Sequence, residues 1–303
     1  MRKLVLLLAV VLGVLATAVP AWAITGSYVK DFQHPYVGLV VFYDKHGEFS
    51  RRCSGSLLTP KVFLTAGHCT SGETTEDGEE IPPPSSARVY FQQNAGANYN
   101  PKTELDPVSG YPEYCAAGTR GETCMTSHEL YNYGFDEFAG FPNTRDAGLV
   151  ILDQRIQVAE YGKLAAPGFL DQLATRRGQR ELTFTSSGYG LTLSNPVHEV
   201  SFRERLMAES RLNNLRSNNI DGFNLQTNGN GDDRGGTCSG DSGGPVFYGG
   251  YRSNTIVAVT SFGMNAYCKG VDFSYRTDRK AVIQWIRAHV PEGQASKIKI
   301  VEL

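Results

Sequence analysis

The chain has 303 residues, a formal net charge of −2 and no Lys/Arg cluster or basic helix. That balance gives no support for a nucleic-acid partner. The length suits one large domain or two small halves sharing a cleft.

Met1-Arg2-Lys3 is followed by an apolar run from Leu4 to Val19, then Pro20 and Ala21-Trp22-Ala23. A short basic start, an apolar middle and an Ala-x-Ala end describe a secretory signal peptide cleaved after Ala23. The run is shorter than the ~20 residues a membrane span needs. The remainder, residues 24–303, is expected to be exported, monomeric and free of the membrane once the signal is removed. An even count of six cysteines in an exported chain suggests disulfides. Proximity and motif context favour Cys53–Cys69, Cys115–Cys124 and Cys238–Cys268, although composition alone does not choose among the connectivities. No Cys-x-x-Cys pair is present, so a zinc module is not indicated.

Short strand-like runs follow in order: Tyr36–Tyr43, Ser56–Leu58, Val62–Leu64, Val89–Phe91, Gly148–Leu152, Leu182–Ser186, Pro245–Tyr248 and Thr255–Phe262. Gly, Asn, Pro and Ser separate them, which points to an all-β barrel or sandwich. The best helix runs from Asp278, a candidate cap, to His289, with Val282, Ile283, Ile286 and Val290 at helical spacing. Residues 291–303 read as a tail appended after Pro291. Between Cys69 and Arg145 lies a long irregular part with an acidic run, Glu73, Glu76, Asp77, Glu79 and Glu80. Oxygen-rich loops suit calcium, but a solvated charge run is the commoner explanation. No metal and no cofactor are assigned.

Three segments carry chemistry. Gly236-Thr237-Cys238-Ser239-Gly240-Asp241-Ser242-Gly243-Gly244-Pro245 puts a serine on a turn built from glycines. Glycines allow the tight turn that exposes the hydroxyl and leave N–H groups to meet a developing oxyanion. A serine hydroxyl is a weak nucleophile and needs a base with its orienting acid. Leu64-Thr65-Ala66-Gly67-His68-Cys69 offers the base. Thr144-Arg145-Asp146-Ala147-Gly148-Leu149-Val150-Ile151-Leu152 offers an acid at the head of a buried strand. Asp136 and Asp153 are rivals for the acid, and the strand-head position favours Asp146.

On these motifs the chain resembles the chymotrypsin/trypsin family of serine endopeptidases. Thr65–Cys69 resembles the histidine motif, Asp146–Leu152 the aspartate strand, and Gly240–Pro245 is the full Gly-Asp-Ser-Gly-Gly-Pro. Gly188-Tyr189-Gly190, Ser261-Phe262-Gly263, Tyr275-Arg276-Thr277 and Trp285-Ile286 add support. The resemblance runs from Ile24 to about Val290. It implies two six-stranded antiparallel β-barrels, with a boundary near residues 155–180 and a C-terminal helix. It implies a triad of His68, Asp146 and Ser242, an oxyanion hole from the N–H groups of Gly240 and Ser242, and protein or peptide substrates. Ser261, Phe262 and Gly263 resemble the edge that pairs with substrate backbone. Ile24 resembles the new amino terminus whose ammonium pairs with Asp241. Gly-x-Ser-x-Gly is formally present, but the order His68…Asp146…Ser242 and the β-rich pattern argue against an α/β-hydrolase.

The family's pocket floor falls at Gly236. With no acid there, an uncharged small or medium apolar residue before the scissile bond is expected. Counting back from Tyr275 puts Phe273 in the pocket wall, whereas a shifted register aims Asp272 into it. The competing class is a secreted binding or regulatory homologue that keeps the fold without useful turnover, and a blocked pocket at Phe273 would favour it.

Overall fold

The computed structural model describes residues 24–302 apart from residues 76, 96–98, 101, 113–114, 116–123, 174–180, 196–197 and 202–203. The expected signal peptide and Glu76 therefore lie outside the described residues.

Two sheets carry the molecule. The first has seven strands and uses Val37–Tyr43, Phe49–Leu57, Val62–Thr65, Ser86–Tyr90, Cys124–Ser127, Glu129–Asn132 and Gly148–Ile151. Val37–Tyr43 is buried along its whole length, as an apolar run does when both faces meet core. Cys124–Ser127 and Glu129–Asn132 are one length of chain bent at His128. Its first part pairs with Ser86–Tyr90 and its second with Gly148–Ile151. The Ser127 hydroxyl donates to the Ile151 carbonyl at 2.7 Å, and Asp153 N–H to Thr126 O at 2.9 Å. The bend therefore brings the two ends of the sheet together.

The second sheet has nine strands, of which six form a closed ring: Pro245–Tyr248, Thr183–Gly188, Leu206–Asn214, Asn224–Asn228, Val271–Arg276 and Thr255–Gly263. The ring closes where Thr255–Gly263 pairs back onto Pro245–Tyr248. Lys163–Ala165, Ile300–Val301 and Val29–Lys30 add to this ring from outside. The expected barrels are present, one closed and one nearly closed.

Two expectations need correction. The C-terminal helix spans Lys280–Ala288, and Asp278 does not cap it. Asp278 instead takes Arg276 through Nε at 2.8 Å and Nη2 at 2.7 Å and accepts the Leu170 N–H. A fully buried carboxylate gains more from a buried guanidinium than from a solvent-side helix end. Residues 291–302 are not an appendage. Ile298 is buried, Thr59 Oγ1 donates to Gln294 Oε1 at 2.8 Å, and Ile300–Val301 extends the second sheet beside Lys163–Ala165. Among the described residues no helix is long and apolar enough to cross a membrane.

Candidate active site

The site lies where the two barrels meet. His68 sits in the short helix Gly67–Thr70, just past the buried strand Val62–Thr65. Thr65 Oγ1 ties that strand end to Ser54 O at 2.8 Å. A disulfide joins Cys69 to Cys53 in the neighbouring strand, so the turn carrying His68 is fixed from both sides. Gly67 suits this close approach, because a Cβ there would stand a tight 3.1 Å from the Ala147 backbone.

Asp146 is fully buried at the head of Gly148–Ile151. Its Oδ2 lies 2.9 Å from His68 Nδ1, and its Oδ1 accepts the His68 backbone N–H at 2.7 Å. The Ser261 hydroxyl also donates to Oδ2. Burial pushes the Asp146 carboxyl up, but the facing His68 and these donors outweigh it and hold it below the usual carboxylate value. The rivals are elsewhere: Asp153 pairs with His128 at 2.9 Å, and Asp136 is exposed.

Ser242 lies on the expected turn. Gly240 (φ 95°) and Gly243 (φ 77°) take left-handed conformations that other residues rarely adopt. The turn is held by Asp241 N–H to Cys238 O at 3.0 Å and Gly244 N–H to Asp241 O at 2.8 Å. Among the described residues the N–H groups of Gly240 and Ser242 have no protein acceptor. Ser242 Oγ and His68 Nε2 are not hydrogen-bonded to each other, a looseness common before substrate arrives. Ser54 was not singled out in the sequence. Its hydroxyl donates to Gly240 O at 2.8 Å and accepts the Tyr189 N–H at 2.9 Å. No motif in the sequence signals that role. Ser261 likewise has a second part to play, as the third support of Asp146.

A cleft of about 440 Å³ opens beside Ser242 and is lined by Thr237, Ser239, Ser261, Phe262, Gly263 and Met264, among others. Beyond Thr260, whose N–H donates to Gly244 O and whose carbonyl accepts the Gly243 N–H, the strand Thr255–Gly263 pairs on one side only, with Val271–Arg276. Its free edge, Ser261–Gly263, faces the cleft. On the other side of Ser261, a cavity of about 290 Å³ is bounded by His68, Phe135, Glu137 and Phe138.

Phe273 does not block the cleft. It pairs with Phe262, and the two rings stack at 4.5 Å and 9°. Of the two registers the sequence leaves open, the fold takes the one in which Asp272 stands opposite Gly263.

Asp241 is buried behind Ser242. Its carboxylate accepts Gly190 N–H at 2.8 Å and Cys238 N–H at 2.9 Å, and no cation pairs with it among the described residues. Burial pushes it up to about 7, with the carboxylate of Asp272 adding to the rise. Ile24 is buried beside Leu206 and Ala208, and Thr25–Gly26 pairs with Gly235–Gly236. The three expected disulfides are all present. The residues Cys53, His68 and Cys69 bring possible metal ligands together, but both cysteines are committed to their disulfide. The acidic run forms the exposed hairpin Glu73–Thr74 and Glu80–Ile81, where Glu73 meets Arg51 at 3.6 Å.

Two β-barrels with a histidine, a buried aspartate and a turn serine at their junction define the serine-protease fold. The family model Trypsin matches residues 118–286, and the chain belongs to that family. The chain is 25% identical over 270 residues to the CLIP domain-containing serine protease B10 of Anopheles gambiae, covering 88% of this chain and 69% of that protein. It is 26% identical over 269 residues to chymotrypsin of Phaedon cochleariae, covering 88% and 81%. Among solved structures, HL collagenase superposes with a TM-score of 0.56 at 18% identity, covering 87% of this chain and 96% of that one. The scabies mite inactivated protease paralogue S-D1 gives 0.57 at 13%, covering 90% and 98%. At those identities the structural likeness speaks for the fold alone.

Proposed function

We propose that this chain is an exported serine endopeptidase that hydrolyses peptide bonds through His68, Asp146 and Ser242. One observation supports this reading most. Three distant segments converge so that buried Asp146 meets His68 Nδ1 at 2.9 Å, while the Ser242 turn keeps two N–H groups without a protein acceptor.

The chemistry follows from that arrangement. Substrate backbone pairs with Ser261–Gly263 as an added strand. His68 Nε2 takes the Ser242 proton as Oγ attacks the scissile carbonyl carbon. The carbonyl oxygen becomes an oxyanion facing Gly240 and Ser242 N–H. His68, oriented by Asp146, then gives its proton to the leaving amine. The acyl group stays on Ser242 until water, deprotonated by His68, releases it. Export follows from the signal pattern of residues 1–23. Removal of that segment would free the Ile24 amine to pair with Asp241.

A labelled fluorophosphonate tests the reading. It should modify Ser242, and Ser242→Ala should remove both labelling and peptide hydrolysis while the protein remains folded. A wild-type protein that is folded, begins at Ile24 and resists labelling would instead be a binding homologue. Turnover by Ser242→Ala beyond the ~10³–10⁴-fold over water that binding and the oxyanion hole supply would exclude Ser242 as the nucleophile.

A further inference from the structure

Gly236 brings no charge to the cleft, but the fold brings one from another strand. In Val271–Arg276, Asp272 pairs with Gly263 on one side and Thr227 on the other. Consecutive side chains of a strand leave opposite faces. Phe273 leaves towards the Phe262 ring, and Asp272 leaves towards Gly236 and Thr237. Its Oδ2 accepts the Thr237 N–H at 2.9 Å. A Cβ added to Gly236 would lie 2.8 Å from Oδ2, and one added to Gly263 would lie 3.6 Å from Oδ1. The absence of a side chain at Gly236 is thus what leaves room for the carboxylate.

Thr237 and Gly263 line the cleft beside Ser242, while Gly236, Asp272 and Lys269 line an adjoining cavity of about 250 Å³. Cys268 borders both. Bonded to Thr237 and close to Gly263, the carboxylate therefore stands against the wall of the cleft. It is only 6% exposed, and no Lys, Arg or His pairs with it among the described residues. Burial pushes it up to about 6, against the pull of the Thr237 N–H and hydroxyl. A buried acid with so little to satisfy it is costly. A positive charge reaching it from the cleft would remove that cost, whereas an apolar side chain would leave it unpaired.

We infer that Asp272 is the specificity-determining residue of this cleft and selects Lys or Arg before the scissile bond. The depth of the carboxylate favours long side chains that carry their charge at the tip. This reverses the expectation drawn from Gly236 alone, and it rests on Ser242 being the nucleophile.

The test uses the processed enzyme and Asp272→Asn, whose amide oxygen can still accept the Thr237 N–H. Matched peptide substrates differ only in Lys, Arg, Leu or Ala before the bond. The wild type should favour Lys and Arg. The variant should lose about 100-fold in kcat/KM on them, while Leu and Ala substrates change only a few-fold. Fluorophosphonate labelling of Ser242 should be equal in both. A wild type that labels but cleaves mostly after Leu or Ala overturns the inference, and so does an equal loss on all four substrates. The wild-type profile decides the matter if the variant does not fold. Should nothing be hydrolysed, the protease reading fails, and benzamidinium binding by calorimetry to the wild type and Asp272→Asn still tests Asp272. A Kd at least tenfold weaker in the variant supports it, and equal binding overturns it.

Discussion

Asp146 grips His68 at two points, the ring through Nδ1 at 2.9 Å and the main chain through the backbone N–H at 2.7 Å. One carboxylate thus sets both the tautomer of the base and the position of the turn that carries it. Asparagine has one oxygen for these two donors. If it serves the backbone N–H, its NH₂ faces Nδ1 and forces the other tautomer, with Nε2 protonated towards Ser242.

Asp146→Asn should therefore lower kcat by about 10⁴-fold, the size of effect known for the serine-protease template. Thermal unfolding should change little, since shape and most hydrogen bonds remain. Steady-state kinetics on the processed variant checks this. A loss below tenfold would mean that another group orients His68.

The two barrels are joined by a buried cluster that no motif announced. Asp31 accepts from His34 Nδ1 at 2.9 Å and from the Ser187 hydroxyl at 2.5 Å. Arg205, beside the second barrel, donates to Asp31 O at 3.0 Å and to Val37 O and Phe91 O in the first at 3.0 and 3.1 Å. Burial pushes the Asp31 carboxyl up, but His34, Arg205 and Ser187 together bring it below its ordinary value. A carboxylate lowered by folding contributes stability that is present above its unfolded value, near 4, and lost as pH falls through the folded one. Asp31→Ala should cost about 3–5 kcal/mol at pH 7, because it leaves the buried Arg205 guanidinium without its facing carboxylate and the His34 ring and Ser187 hydroxyl without an acceptor. Urea unfolding at pH 7 and pH 3 should find the gap to wild type narrower at the lower pH. A constant gap would show that shape, not charge, carries the effect.

The parts of the molecule legible in the sequence were those whose residues obey a local rule. Val37–Tyr43 and Thr255–Gly263 are apolar and β-branched, and the Ser242 turn spends its glycines where φ is positive. Leu206–Asn214 escaped notice for a physical reason. Its Leu-Met-Ala-Glu-Ser-Arg-Leu composition suits a helix, but pairing with Thr183–Gly188 on one side and Asn224–Asn228 on the other overrides that preference. The choice between the Phe273 and Asp272 registers was out of reach because it depends on which residue Gly263 faces across two strands. Asp31, Ser54 and Arg205 act through partners far away in the chain, and such pairings leave no spacing to read.

The final prediction concerns Asp241 and Ile24. Asp241 is buried, holds only the Gly190 and Cys238 N–H groups among the described residues, and is pushed up to about 7. Asp272 adds negative charge nearby. In the uncut chain the Ile24 nitrogen is an uncharged amide, although the segment is already docked, with Thr25 opposite Gly236 and the Thr25 hydroxyl donating to Cys268 O at 2.6 Å. Cleavage after Ala23 would turn that nitrogen into an ammonium able to pair with an acid that has no cation among the described residues. An amino terminus beginning at Ile24 should therefore be the active form, and one extra residue before it should cost about 100-fold or more in kcat/KM. The two forms should also differ in their pH dependence. In the extended form the folded Asp241 value lies above the unfolded one, so its contribution is fully present below about 4 and lost as pH rises through about 7. In the processed form the paired amine is raised above its ordinary value of about 8, so its contribution is lost only as pH rises beyond that. The difference in Tm between processed and extended enzyme should thus grow from pH 5 to pH 7.5 and shrink again towards pH 10. Amino-terminal sequencing, kinetics and thermal scans at those three pH values decide it. Full activity with an extended or blocked terminus, together with a Tm difference that does not move with pH, would mean that Asp241 is held without Ile24.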